Sequence, residues 1–454
     1  MMRIFAQFSV GGLVCLLLLG CSSVTTKPVD VPRNVVFMVG DGMGFAQVKA
    51  YRMYADDPST RLVDPLPMDA LLTGAVSTDS ISMDCGESES ACTLDPYGTT
   101  DSASSATAYA TGRDTITGYL SVDSTGNPMT TVLELARAHG KSTGLVATSQ
   151  ITHATPAAFA AHVADRNRYS EIADQYFDNQ WQGQPMVEVL LGGGLSDMQR
   201  EDRDLVSEFR QAGYEVALDR KGLLDMQGDR LLGLFAPSGL PQAWDRNEET
   251  PSLAEMTRVA LRSLQRNPQG FFLLVEGSQV DWASHSNSIA GTVSEMEDFV
   301  AAIEAVLDFA GSHNDTLVVI LADHETGGLS LGRDEIYRWD PRPLRDLKAT
   351  PAAMTASYLA GEESLSSIVA TNIAFQLDEA ETLSLDAAPR DEAAAFKAIT
   401  DLFNRRTLTS WGTGGHTGVD VPLYGFGPGS ERFHGVMQNE AIGRVMREVF
   451  LPEK

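Results

Sequence analysis

Three apolar runs of strand length, each delivering the chain onto an acidic residue, constrain this sequence more than any other feature. Val35-Val36-Phe37-Met38-Val39 leads through Gly40 to Asp41, and Phe271-Phe272-Leu273-Leu274-Val275 leads to Glu276. Leu317-Val318-Val319-Ile320-Leu321 leads through Ala322 to Asp323 and His324. Aliphatic and aromatic runs without polar alternation suit strands covered on both faces, as in a parallel sheet. Between the second and third runs, Val293, Met296, Val300, Ile303, Val306, Leu307 and Ala310 share one stripe at helical spacing. This order predicts an α/β fold with a central, mostly parallel sheet flanked by helices. Such sheets bind ligands beyond the carboxyl ends of their strands, where these acidic residues fall.

The 454 residues suffice for a large core, and 43% hydrophobic with 21% charged content is that of a globular chain. A formal charge of −27 argues against a nucleic-acid partner, which needs a basic face. Residues 1–20 read as a signal peptide: Arg3 supplies the positive start, and the apolar run from Val10 to Leu19 is short for a bilayer. It ends in Leu18-Leu19-Gly20-Cys21, which resembles the lipobox of bacterial lipoproteins and implies cleavage before Cys21 and acylation of its sulfur. Ser22 follows, without the aspartate that commonly retains lipoproteins at the inner membrane, so an exported protein anchored in the outer membrane is expected. Residues 21–33 form a tether, and residues 34–454 the remaining domain. Cys85 and Cys92, with six residues between them in a Gly/Ser/Glu-rich stretch, predict a small disulfide loop in an oxidising compartment. From about 333 to 411 no strong strand pattern occurs, and helices are expected after Thr350-Pro351, over 362–376 and over 390–406. This stretch reads as a helical insertion.

Several side chains have the character of metal ligands. Asp281 and His285 are one helical turn apart, Asp323 and His324 are adjacent at a strand end, and His416 lies in the glycine-rich Gly412-Thr413-Gly414-Gly415-His416-Thr417-Gly418. Mixed carboxylate and imidazole sets suit zinc, and oxygen-only sets suit magnesium. Each pair alone is a weak signal. Thr100-Asp101-Ser102-Ala103-Ser104-Ser105 is either a plain N-cap before an Ala-rich helix or a helix N-terminus open to an anion. His139, His162, His313 and His434 read as cap, core or surface residues.

Taken together, the motifs resemble alkaline phosphatase, from about Asn34 to the C-terminus. They are Val39-Gly40-Asp41-Gly42-Met43-Gly44, Thr100-Asp101-Ser102-Ala103, Thr152-His153-Ala154-Thr155-Pro156, Val275-Glu276-Gly277, Ala322-Asp323-His324-Glu325-Thr326-Gly327-Gly328 and Gly415-His416-Thr417-Gly418. The resemblance implies hydrolysis of small phosphate monoesters of broad type through a phosphoserine at Ser102, with Arg166 clamping the phosphate. It implies two zinc ions, one held by Asp281, His285 and His416 and one by Asp41, Asp323 and His324, and one magnesium ion held by Asp41, Thr155 and Glu276. Asp101, His153 and Trp282 would surround the substrate or the ligands. His153 and Trp282 depart from the enterobacterial members, which carry aspartate and lysine there. Homodimers are common in the family.

The implied charges balance. Three divalent ions and Arg166 outweigh the four carboxylates Asp41, Glu276, Asp281 and Asp323 by three positive charges, which a monoester dianion and a serine alkoxide neutralise. A sulfatase is disfavoured because Ser102 lacks the following x-Pro-x-Arg setting. A phosphodiesterase of the superfamily is disfavoured by Thr155 and Glu276, which complete a third metal site. A non-enzymatic lipoprotein that sequesters metal or phosphate has no need of Ser102.

Overall fold

The three apolar runs become adjacent strands. The structure, a computed structural model, describes residues 31–84, 93–95 and 98–450. The signal segment, most of the tether, Cys21, Cys85 and Cys92 lie outside the described residues. From one edge, the ten-stranded sheet runs Gly435–Gln438, Leu72–Ser77, Val421–Phe426, Thr316–Ala322, Asn34–Gly40, Phe271–Gly277, Ser142–Gln150, Val189–Gly193, Leu231–Leu234 and Glu215–Ala217. Neighbours from Thr316–Ala322 to Glu215–Ala217 are all parallel. Only Val421–Phe426 runs against the rest.

Register then decides what meets at the carboxyl ends. Gly40 pairs with both Ala322 and Gly277, so Asp41 and Asp323 leave the sheet side by side, with Glu276 two residues back on the next strand. All residues of these three strands are buried, as expected of a sheet covered on both faces. The striped segment is the helix Ile289–Ser312, which returns the chain between two of them and buries all the stripe except the half-buried Leu307.

Beneath the site, Phe37 packs on Tyr109 and Phe159, and Phe159 stacks on Phe272, with ring centroids 5.6 to 5.9 Å apart. Truncating one such buried ring typically costs about 3–5 kcal/mol. Tyr109 donates to the carbonyl of Ala322, and Ser105 to that of Asp323. These bonds pin the fully buried helix Ser102–Thr111 to the strand end that carries His324. A second helix, Asn439–Phe450, backs it at glycine distance: a Cβ on Gly443 would meet the Ala108 carbonyl at 2.1 Å.

Between residues 333 and 411 the structure has the helices Pro351–Ala360, Leu365–Asn372, Glu379–Asp386 and Glu392–Thr407. The helix expected over 362–376 is shorter, because Ser364 caps it and the chain turns extended at Ile373. Glu379–Asp386 was not expected. It starts on a reciprocal capping box between Asp378 and Glu381. A two-residue bridge, Leu329–Ser330 with Ser410–Trp411, brings the two ends of this stretch together. Among the described residues no helix is long and apolar enough to cross a membrane.

Candidate active site

Two groups of possible ligands share Asp41. Asp41, Asp323 and His324 form one, and Asp41, His153 and Glu276 form another; Asp281, His285 and His416 form a third. In each group, one ligand atom per residue lies within 4.8 Å of the others. Asp281 and His285 sit on one face of the helix Gln279–His285, with His285 Nε2 3.3 Å from Asp281 Oδ2. His416 Nε2 lies 3.6 Å from Asp281 Oδ1. His324 Nε2 lies 3.5 Å from Asp41 and 3.3 Å from Asp323.

Hydrogen bonds at the outer ring nitrogens fix two tautomers. His285 Nδ1 donates to the Gly414 carbonyl at 2.7 Å, and His416 Nδ1 to the Thr100 carbonyl at 2.8 Å. A carbonyl only accepts, so in each neutral ring the proton is on Nδ1 and the Nε2 lone pair faces inward. Those two Nε2 atoms are 3.1 Å apart. Lone pairs so placed call for a shared cation, and backing the outer nitrogen with an acceptor is how proteins orient metal-binding histidines. Gly42 holds the turn at φ +74°, where a Cβ would strike Asp281 Cα at 2.7 Å, and its N–H donates to Asp323.

The carboxylates make the same demand. Both Asp41 oxygens, Glu276 Oε1, Asp323 Oδ2 and the Thr155 hydroxyl are buried with no hydrogen-bond partner. Burial pushes the Asp41 carboxyl well above the usual range, and the charges of Asp323, Asp281 and Glu276 push the same way. Burial, reinforced by Asp323, lifts Glu276 to about 7; burial with the charge of Asp281 lifts Asp323 to about 6. Asp281 behaves otherwise: burial opposes its ionisation, but the hydrogen bond with His285 and the nearby imidazoles hold it below the usual range. The bond from Nε2 to Asp281 lifts His285 to about 9, so a cation bound at that nitrogen takes the place of its proton. Buried, crowded carboxylates with spare lone pairs are a cation-binding donor set, so the residues present fit metal.

Ser102 heads its helix, 1% exposed, with Oγ 3.3 Å from His324 Nε2. Asp101 caps that helix through Ser104 and also holds Arg166, Nη1 donating to Oδ2 at 2.8 Å. Burial opposes the Asp101 charge, but Arg166 and the hydrogen bonds outweigh it and hold the carboxyl at about 2. Arg166 Nη2 lies 3.1 Å from His153 Nε2. Burial, and then the Arg166 charge, depress His153 to about 3, so the ring is neutral and accepts from the guanidinium. Trp282 meets His153 edge-on at 5.6 Å.

All the residues singled out from the sequence are therefore gathered here, apart from the cysteines that lie outside the described residues. His153 offers a ring nitrogen within 4.8 Å of carboxylate oxygens of Asp41 and Glu276. Two participants were quoted in a motif without a role. Glu325 receives Gln47, Thr417 and the Gly328 and Leu329 amides, which shapes the loop carrying His416. Thr326 donates to Asp281 at 2.5 Å. The carbonyls that orient His285 and His416 have no side-chain signature, and only the glycines around His416 hint at them.

The comparisons agree with this geometry. A family model described as Alkaline phosphatase matches residues 32–451. Alkaline phosphatase 3 of Bacillus subtilis is 43% identical over 421 residues, covering 91% of this chain and 88% of that protein. The crystal structure of a cold-active alkaline phosphatase from a psychrophilic Shewanella superposes with a TM-score of 0.82 at 36% identity, covering 92% of this chain and all of that one. The Thermus thermophilus alkaline phosphatase gives 0.78 at 26% identity, covering 97% and 96%. With this family match, this sheet and this set of buried ligands, the chain belongs to the alkaline phosphatase family of metal-dependent phosphomonoesterases.

Proposed function

We propose that the protein hydrolyses phosphate monoesters through a covalent phosphoserine at Ser102, with two zinc ions and one magnesium ion. The observation that carries this is a buried serine at a helix N-terminus beside one of three converging ligand groups. Asp281, His285 and His416 would hold one zinc; Asp41, Asp323 and His324 would hold the other, beside Ser102. The oxygen-rich set of Asp41, Glu276 and Thr155 suits magnesium. When bound, these cations supply positive charge that acidifies the Ser102 hydroxyl and the attacking water and stabilises the leaving oxygen.

The chain's own residues do the positioning. Ser102 Oγ attacks phosphorus as the ester P–O bond breaks, releasing the alcohol; water then cleaves the Ser102 ester and frees inorganic phosphate. The N-terminus of the ten-residue helix Ser102–Thr111 favours the anion. Asp101 and His153 fix the Arg166 guanidinium, whose remaining N–H groups suit two phosphoryl oxygens. Phosphate monoesters should be hydrolysed, diesters and sulfates far more slowly, and a chelator should abolish turnover. Preferential hydrolysis of a diester or sulfate would overturn the assignment.

His153 and Trp282 set the balance between turnover and phosphate affinity. The neutral imidazole adds no charge beside Asp41 and Glu276, and the indole supplies no cation to product. Weak phosphate inhibition and strong dependence on added magnesium follow, since product release often limits turnover. The double replacement His153→Asp with Trp282→Lys should tighten inorganic phosphate binding and reduce magnesium activation. Unchanged inhibition and metal titrations would reject this.

The Leu18-Leu19-Gly20-Cys21 motif supports export with a lipid anchor on Cys21, facing the periplasm or cell surface. Cys21→Ser should abolish acylation and membrane partitioning; a mature N-terminal peptide without acyl chains in the wild type excludes the anchor. A Cys85–Cys92 disulfide is supported by the antiparallel pairing of the adjoining Asp84 and Thr93. A homodimer follows from the family resemblance, and light scattering on the purified protein decides it.

A further inference from the structure

We infer that a cleft running from His285 across the helices of residues 351–407 is a subsite for the alcohol part of the substrate, selecting neutral alcohols with an apolar body. The inference rests on Ser102 as the nucleophile. In-line displacement places the leaving oxygen on the side of phosphorus away from Ser102. Ser102 stands beside the Asp41, Asp323 and His324 group, so the alcohol departs past the other inward-facing set, Asp281, His285 and His416. There a cavity of about 500 Å³ opens, bounded by His285, Ser286, Phe396 and Trp411. It adjoins a second of about 580 Å³, which shares Ser286 and Phe396 and continues to Leu359. Both volumes are in the range of small-molecule pockets.

The walls say what fits. In the first cavity, Arg333 is paired with Asp334 and Lys397 with Asp401, so neither of these cations is left free for a second phosphate. Asn404 is satisfied as well, donating to the Asn287 carbonyl and accepting from Trp411 Nε1. The second cavity is lined chiefly by the apolar parts of the Pro351–Ala360 and Glu392–Thr407 helices, and Leu359 there is 39% exposed. A neutral chain leaving the phosphoryl centre passes a charge-balanced neck and reaches an apolar groove.

Ethyl and hexyl phosphate test this, because their leaving alkoxides are chemically alike and differ only in apolar length. Wild-type kcat/KM should favour hexyl phosphate by about tenfold, a fraction of full burial of four further methylenes. Phe396→Asp and, independently, Leu359→Asp should bring the two esters within about twofold, leaving ethyl phosphate turnover and inhibition by inorganic phosphate unchanged. A wild-type ratio near one overturns the subsite, as does a parallel fall for both esters in both variants. Hydrolysis of neither ester by the wild type overturns the phosphatase reading instead.

Discussion

Ser102→Ala should lower phosphomonoesterase activity by three orders of magnitude or more, on the order expected when a covalent nucleophile is removed, while leaving the fold and metal content intact. The local structure explains the separation. The Asp101 cap bonds Ser104, and Ser105 and Tyr109 hold the helix to the sheet; none of these uses the Ser102 hydroxyl. Alanine is also the better helix former. Thermal unfolding and metal analysis should therefore coincide with wild type. Quenching wild-type turnover of a labelled substrate at mildly acid pH should leave label on Ser102 and none on the variant. Label on another residue, or near-normal turnover by the variant, would sink the phosphoserine mechanism.

Asp41→Asn should be the most damaging single change to metal content, because Asp41 belongs to two of the three ligand groups. The amide conserves shape and removes the charge from a residue whose two oxygens are both buried and unpaired. Mass spectrometry of the purified variant should show retention at the Asp281, His285 and His416 group and loss at the other two. Activity should fall on the order of a thousandfold, as when preorganised charge is removed from a reacting centre. His416→Ala should instead deplete a single ion. In chelated protein Asp41→Asn removes one of four crowded carboxylates, so the stripped variant should unfold no earlier than stripped wild type. Full metal occupancy in the variant would contradict the bridging assignment.

The central strands were legible because burial on both faces leaves no polar alternation, and the 24-residue helix because its stripe is wide and long. The acidic residues at strand ends were legible as a pattern; that Asp41 and Asp323 emerge together depends on Gly40 pairing with Ala322, and register has no signature within either strand alone. Short outer strands such as Leu231–Leu234 and Glu215–Ala217 carry too few residues to show a period. The Glu379–Asp386 helix went unread although Asp378 and Glu381 spell a capping box, because its face buries only Leu385. That His153 comes within reach of Asp41 and Glu276 depends on strand order, with Ser142–Gln150 next to Phe271–Gly277, which the sequence does not state.

The split of the ligands along the chain has a biosynthetic consequence. Asp41 follows the first strand of the sheet, whereas His416 arrives only after the helices of residues 351–407, just ahead of Val421–Phe426. A nascent or truncated polypeptide ending before Gly414 would carry Asp281 and His285 without their third partner and without the Gly414 carbonyl that orients His285. Loading of that group thus reports a complete chain: its cation can lock in only when the last segment has threaded into place, whereas the two groups that share Asp41 already have all their members by His324.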